Sequence, residues 1–399
     1  MKQKITRFKM HQIDLETFSI QRVQLRVLEP VPTVTPFQDA TMGPFNKFGL
    51  SILTIEDEDG NIGEAPIFNT YINILEKCLF PILFYNDGLP YKELFKLLYW
   101  SIRNEGFRGQ AAALLGQLDL ALYDLAARRK GLPMYKFLNA DRNWARMYGS
   151  GGGTNYSFKE LEEEIGKFLD AGADCVKMKI GRNFGTDMVK DVERIKFVRS
   201  LIGNQVALAV DANQIWTLNQ SIEFLNKVSD LDIAWLEEPI HSAAYADIEE
   251  LCKQSNTIIA YGESERSGKM FPALVNAGVK HLQPVPTHLG GIQEWKEVRD
   301  LAVKQGIDFS SGGYSLYTAS FLATAPENCP VEYLYSIMFG LEEYFMVKPD
   351  WKNGKYIFPE VEGLPIRIDW DYWSNNRKII VHRIWNKDNV MKYSPVVNM

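Results

Sequence analysis

The sequence predicts an α/β protein in which a barrel of eight strands alternating with helices follows a smaller α+β unit. Three observations carry that expectation. From about Met147 to Ser336, short apolar runs alternate with amphipathic stretches, whereas the residues before Trp144 pass from strand-like alternation to a long helical period. Three acids, Asp211, Glu237 and Glu263, each close one of the apolar runs, and they recur every 26 residues, the interval a repeated strand–helix unit produces. At 399 residues the chain also exceeds the roughly 250–300 residues at which single cores stop growing, so two packed units are expected.

In chain order, Lys4 to Met10, Phe18 to Leu28 and Phe48 to Ile55 alternate apolar and polar residues as half-buried strands do. Asp59-Gly60 supplies a hairpin turn after the third of them, so an antiparallel meander is expected. Between the second and third strands lies a segment, about 30–48, with four prolines and several aromatics. It is too long for an idle turn and is expected to be a lid loop. From Asn73 to Lys130 the apolar period becomes helical, with Gly131 as its stop. Asp119 and Asp124 fall inside that helix and read as buried, hydrogen-bonded groups.

Eight strands are expected at ARMYGS, CVKMKI, VALAVDA, IAWLEE, IIAYGE, HLQPV, IDFSSG and VEYLYS. A doubly wound open sheet is the competing arrangement, but neither a GxGxxG nor a phosphate-binding loop follows the first strand. The expected division is an α+β unit over 1–145, a barrel over 146–340, and a segment over 341–399 that packs back on the first unit.

A net charge of −6 argues against a polyanion-binding surface and hence against nucleic acid as a partner. The four cysteines lack paired spacing and read as reduced thiols. No run approaches the ~18–20 apolar residues of a membrane span, and the first residues lack an apolar signal core, so a cytoplasmic protein is expected.

In a barrel, groups at the carboxyl ends of strands face the catalytic loops. Lys177 and Lys179 end the second strand and share one side of it. Asp211, Glu237 and Glu263 end the third, fourth and fifth. Three converging acids repel one another unless a cation sits among them, and hard oxygen ligands suit Mg²⁺. An adjacent ammonium and a divalent cation both disfavour a charged lysine, so either lysine is a candidate base toward the α-proton of a metal-bound carboxylate substrate, with the resulting enediolate stabilised by the metal. A Schiff-base aldolase using either lysine is a further reading of the residues, one that the acid triad opposes.

KxK on the second strand, DAN on the third, EEP on the fourth and GES on the fifth resemble the enolase superfamily, in particular its mandelate racemase and muconate lactonizing enzyme group. The helix AALLGQLDLALYDLAARRKGLP and the segment HLQPVPTHLGGI extend the likeness over most of the chain. The resemblance implies a capping domain over a modified TIM barrel of (β/α)₇β form and a tendency to form homo-oligomers. It also implies Mg²⁺ on Asp211, Glu237 and Glu263, Lys179 as base with Lys177 beside it, and Asn213 and Glu238 supporting the ligands.

The departures bear on the reaction. The sixth strand reads QPV and the seventh SSGG, which puts Val285 and Gly312 where many acid-sugar members carry an aspartate and a histidine. On the eighth, Tyr335 is read at the place of a carboxylate-binding glutamate. With the second base gone, dehydration of a sugar acid or related hydroxy acid is favoured over racemisation, epimerisation or cycloisomerisation, and a non-catalytic barrel that binds metal and carboxylate is the reading outside catalysis. His288 and Tyr314 are the chosen replacement acids, ahead of His241 and Tyr317. His11, His281 and His382 have no comparable placement.

Overall fold

A computed structural model describes residues 15–376 and 378–391; the expected strand from Lys4 to Met10 and His11 lie outside them. The first unit is built on a four-stranded antiparallel sheet in the order Ile379–Trp385, Ile20–Leu28, Ser51–Asp57, Ile62–Pro66. Asp57 makes the expected turn: its Oδ1 accepts from the backbone N–H groups of Asp59 (3.0 Å) and Asn61 (2.8 Å), and Gly60 takes a φ of 82°.

The segment from 30 to 48 is a hairpin rather than a loop, with strands Val31–Phe37 and Phe45–Phe48. Its prolines are tolerated because this two-stranded ribbon is all edge. Asp39 organises the turn by accepting from the N–H groups of Thr41 (2.7 Å) and Met42 (2.6 Å). The ribbon is fastened to the barrel, where the Thr154 N–H donates to the Gln38 carbonyl (2.7 Å) and Asn155 Nδ2 to the Pro36 carbonyl (2.7 Å).

The helix Gln110–Arg129 buries nearly its whole surface between that sheet and the barrel. Close approach sets its composition: a Cβ on Gly116 would fall 2.0 Å from the Leu289 carbonyl oxygen. Asp119 accepts from Tyr91 Oη (2.7 Å) and the Ile292 N–H (2.8 Å), and Asp124 accepts from the N–H groups of Glu64 (2.8 Å) and Leu364 (2.6 Å) with Arg128 beside it.

Eight parallel strands form the barrel: Trp144–Gly151, Cys175–Lys179, Ala207–Asp211, Ile233–Glu237, Ile258–Tyr261, His281–Leu282, Asp308–Phe309 and Val331–Leu334. The eighth pairs with the first, and a bridge between Ser311 and Val331 joins it to the seventh. Register places Lys179 opposite Asp211 and Asp211 opposite Glu237. The chain therefore carries the capping-domain and modified-barrel architecture.

Beyond the barrel, Asp350–Lys352 and Lys355–Ile357 form a hairpin turned at Asn353-Gly354, both with positive φ, that pairs with the first barrel strand. Only then does the chain reach the N-terminal sheet, so this segment ties both units. None of the four cysteines is in a disulfide. Among the described residues, no helix is long and apolar enough to cross a membrane.

Candidate functional site

Strand register brings the predicted carboxylates together. Asp211, Glu237 and Glu263 each offer one oxygen within 4.8 Å of the others. Asp211 and Glu237 are fully buried, and Glu263 is partly exposed at the mouth. Local structure explains the DAN sequence. The Asn213 N–H turns back to donate to Asp211 Oδ1 (2.9 Å), and Asn213 Nδ2 reaches Asp211 Oδ2 and Glu263 Oε1 at 3.4 Å each. Asn213 takes a φ of 41° and Glu238 one of 37°, a sparsely populated backbone region for such residues, found here directly beside the acids. Glu238 is not one of the three converging acids; its Oε2 accepts from Gln214 Nε2 (2.7 Å) and Ser264 Oγ (2.8 Å).

The lysines differ in their surroundings. Lys177 Nζ lies 2.6 Å from Glu237, 2.8 Å from Glu332 and 3.5 Å from Asp211, with the Tyr148 ring 5.8 Å away, so its donors are committed. Lys179 Nζ pairs with Asp211 alone, at 2.5 Å. Burial opposes the charged form of both, yet Glu237 and Glu332 at Lys177 and Asp211 at Lys179 hold both above the ordinary lysine value. The surrounding carboxylates thus outweigh the one neighbouring ammonium, so lowering either lysine depends on a cation among the acids.

The acids divide the positive charge unequally. Burial would raise Asp211, but Lys179 and Lys177 bring it down to about 2. Burial and the charge of Asp211 push Glu237 up to about 8, and burial with Glu238 and Asp211 does the same to Glu263. Three carboxylates that resist simultaneous ionisation are what a divalent cation relieves. The buried Asn213 Oδ1, which no donor reaches, is a further oxygen acceptor beside them. The donor set is all oxygen and fits a hard cation such as Mg²⁺.

The eighth strand requires a correction. Tyr335 begins the following helix and packs on Phe168 and Phe339, while Glu332 enters the site. Burial would raise Glu332, but Lys177 and Lys179 hold it low. Strand alternation was the available signal, since Glu332 is paired with Tyr148 in the middle of the strand whereas Tyr335 lies past its end. Sequence reasoning also missed Gln283 and Trp235, whose Nε2 and Nε1 donate to Glu237 Oε2 at 2.7 and 3.1 Å.

At the sixth and seventh strand ends the expected vacancy in proton-carrying groups has a steric cause. A Cβ on Gly312 would meet Glu332 Oε2 at 2.4 Å, and one on Gly313 would meet Val285 Cγ1 at 2.4 Å. Larger side chains are therefore excluded unless Glu332 or Val285 moves. Of the auxiliary candidates, His288 touches the backbone of a triad residue: its Nδ1 is 3.0 Å from the Glu263 carbonyl, and burial followed by the charge of Arg266 pushes it down to about 4. Tyr314 lines a cleft between the barrel mouth and the first unit, together with Arg266. Tyr317 is buried against Phe345, His241 is exposed, and neither joins the cluster. His281 is buried beside Trp235 with Ser310 at 2.8 Å, and His382 lies on the outer strand of the N-terminal sheet.

Comparison with known proteins agrees with this geometry. Residues 160–372 match the family model described as enolase C-terminal domain-like. The 3,6-anhydro-alpha-L-galactonate cycloisomerase of Streptomyces coelicolor is 26% identical over 88% of this chain and 98% of its own length. The arabinonate dehydratase of Saccharolobus solfataricus is 27% identical over 79% of this chain and 87% of its own. A crystal structure of a racemase from Streptomyces coelicolor with bound magnesium superimposes with a TM-score of 0.81 at 25% identity, covering 89% of this chain and 99% of that one.

Proposed function

The chain belongs to the enolase C-terminal domain-like family, and from that membership and the site's geometry we propose that it abstracts the α-proton of a sugar acid or related hydroxy acid and eliminates the β-hydroxyl as water. The observation that carries the reading is the one-sided placement of charge. Both lysines and the three clustered acids stand at the ends of strands two to five, Val285, Gly312 and Gly313 bring no proton carrier of their own to the sixth and seventh, and the carboxylate beside Gly312, Glu332 of the eighth strand, is paired with Lys177.

Asp211, Glu237 and Glu263 are assigned as the Mg²⁺ ligands. When bound there, the cation offsets the carboxylate charge that keeps the lysines protonated and stabilises the negative charge that builds on the substrate carboxylate. Lys179 is assigned as the base because it has one carboxylate partner where Lys177 has three, so it gives up its proton more readily. Lys177 holds Glu237 and Glu332 in place. Asn213 braces Asp211, and Glu238 supports the turn carrying Glu263 through Ser264. His288 and Tyr314 are assigned as the candidate groups to assist departure of the hydroxyl.

Racemisation and epimerisation require a donor on the face opposite Lys179, which this reading disfavours. The test is incubation of the protein and Mg²⁺ with a panel of acid sugars in D₂O. A keto-deoxy product that disappears in Lys179→Ala supports the proposal, and absence of turnover across a broad panel counts against it. The cytoplasm as location and a homo-oligomeric state belong to the same proposal, on the strength of the sequence alone.

A further inference from the structure

Arg266 stands in the cleft beside the metal ligands with most of its guanidinium uncommitted. The cleft, about 250 Å³, is lined by Ser51, Phe68, Asn69, Gln110, Arg266 and Tyr314 among others. Arg266 Nη1 donates to the backbone carbonyls of Glu263 (3.2 Å) and Glu265 (3.4 Å) and lies 3.4 Å from His288 Nδ1. Among the described residues no carboxylate forms an ion pair with it; Glu263, Glu238 and Glu265 act on it only from beyond contact. Other partly buried arginines are satisfied differently. Arg128 and Arg129 have carboxylates, while Arg199 commits Nε, Nη1 and Nη2 to backbone carbonyls. Arg266 uses one nitrogen, leaving Nε and Nη2 for something else.

We propose that Arg266 grips a second carboxylate at the end of the substrate away from the metal, so that the substrate is a polyhydroxy dicarboxylate. The inference rests on the sugar-acid reading and narrows it. Glu263 links the two ends, since its side chain belongs to the acid triad and its carbonyl holds Arg266. A guanidinium fork matches a carboxylate in shape and charge, and the surrounding side chains of the cleft are neutral, which suits a single negative charge better than a phosphate dianion. Gln110 Oε1 is buried with no donor in reach, an acceptor suited to a hydroxyl on the intervening carbons.

Calorimetric titration of the full chain with Mg²⁺ would compare matched six-carbon pairs, aldarates and aldonates, which differ only in a terminal carboxylate or hydroxymethyl group. The aldarate is expected to bind at least about tenfold more tightly, and in Arg266→Gln the two affinities should converge, with Arg266→Lys between. Equal weakening of both ligands in Arg266→Gln would make Arg266 a loop brace and overturn the proposal. So would a wild-type protein that binds the two alike or prefers an aldonate 6-phosphate, a result that needs no variant to fold. Run in the Lys179→Ala chain, the same titration reads binding without turnover, and an aldarate preference there beside a wild-type protein that exchanges no α-proton would defeat the catalytic reading and leave this one standing.

Discussion

Two groups of acids in this molecule, one on the long helix and one at the barrel strand ends, are both withdrawn from solvent but are arranged differently. Asp119 and Asp124, inside the long helix, are as buried as Asp211 and Glu237. Each stands alone, however, and its oxygens accept from backbone N–H groups, from Tyr91 or from Arg128. Asp119 fastens the helix to the barrel at Ile292, and Asp124 fastens it to the C-terminal segment at Leu364. Asp211, Glu237 and Glu263 are instead turned toward one another, and neighbouring carboxylate charge adds to burial in pushing Glu237 and Glu263 up to about 8. Burial by itself is therefore uninformative about function; convergence of like charges is the signal.

The contrast can be broken from either side. The largest effect is expected from Lys179→Ala, which removes the proposed base: turnover should fall by about 10³-fold or more, with the fold and Mg²⁺ binding retained, as steady-state kinetics and thermal melts would record. Next, Glu237→Gln should abolish the Mg²⁺-induced rise in melting temperature. Asp124→Asn should keep that rise while lowering stability by on the order of 3 kcal/mol, since it weakens the partner of buried Arg128. If Asp124→Asn lost the Mg²⁺ response too, the two sets would not be separable.

Glu164 offers a pH-dependent version. Burial pushes it up to about 7, against hydrogen bonds from the Gly152 N–H and Ser336 Oγ. The folded state thus holds a proton that the unfolded chain releases near pH 4.5, so stability should fall as pH rises from about 4.5 through 7. Denaturant unfolding should show that slope, on the order of 3 kcal/mol at most, and Glu164→Gln should flatten it. The smallest effect belongs to Ser157→Ala, which removes the N-cap Oγ that accepts from the Glu160 N–H and donates to Glu160 Oε2, while the Ser157 backbone N–H bond to Glu160 remains. It should cost about 1 kcal/mol and leave turnover unchanged.

Much of this was legible in the chain because barrel strands are short apolar runs with one chemical group at the end. Asp211, Glu237 and Glu263 could be placed from spacing alone, and strand register then put them side by side. What escaped was set by register or by contacts remote in sequence. Glu332 and Tyr335 are three apart, and only the pairing of the eighth strand with the first decides which enters the site. The hairpin at Val31–Phe37 was hidden by prolines that a two-edged ribbon tolerates. Arg266 gave no signal, because an arginine's lack of a carboxylate partner is visible only in three dimensions.

The central claim is that proton transfer occurs on one face of the substrate, from Lys179. It is tested most directly by following a turned-over acid sugar in D₂O by NMR. The account predicts loss of water, a keto-deoxy product and no inverted epimer, with all α-proton loss absent in Lys179→Ala. Accumulation of a deuterated epimer with inverted configuration, or α-proton exchange that persists in Lys179→Ala, would contradict it.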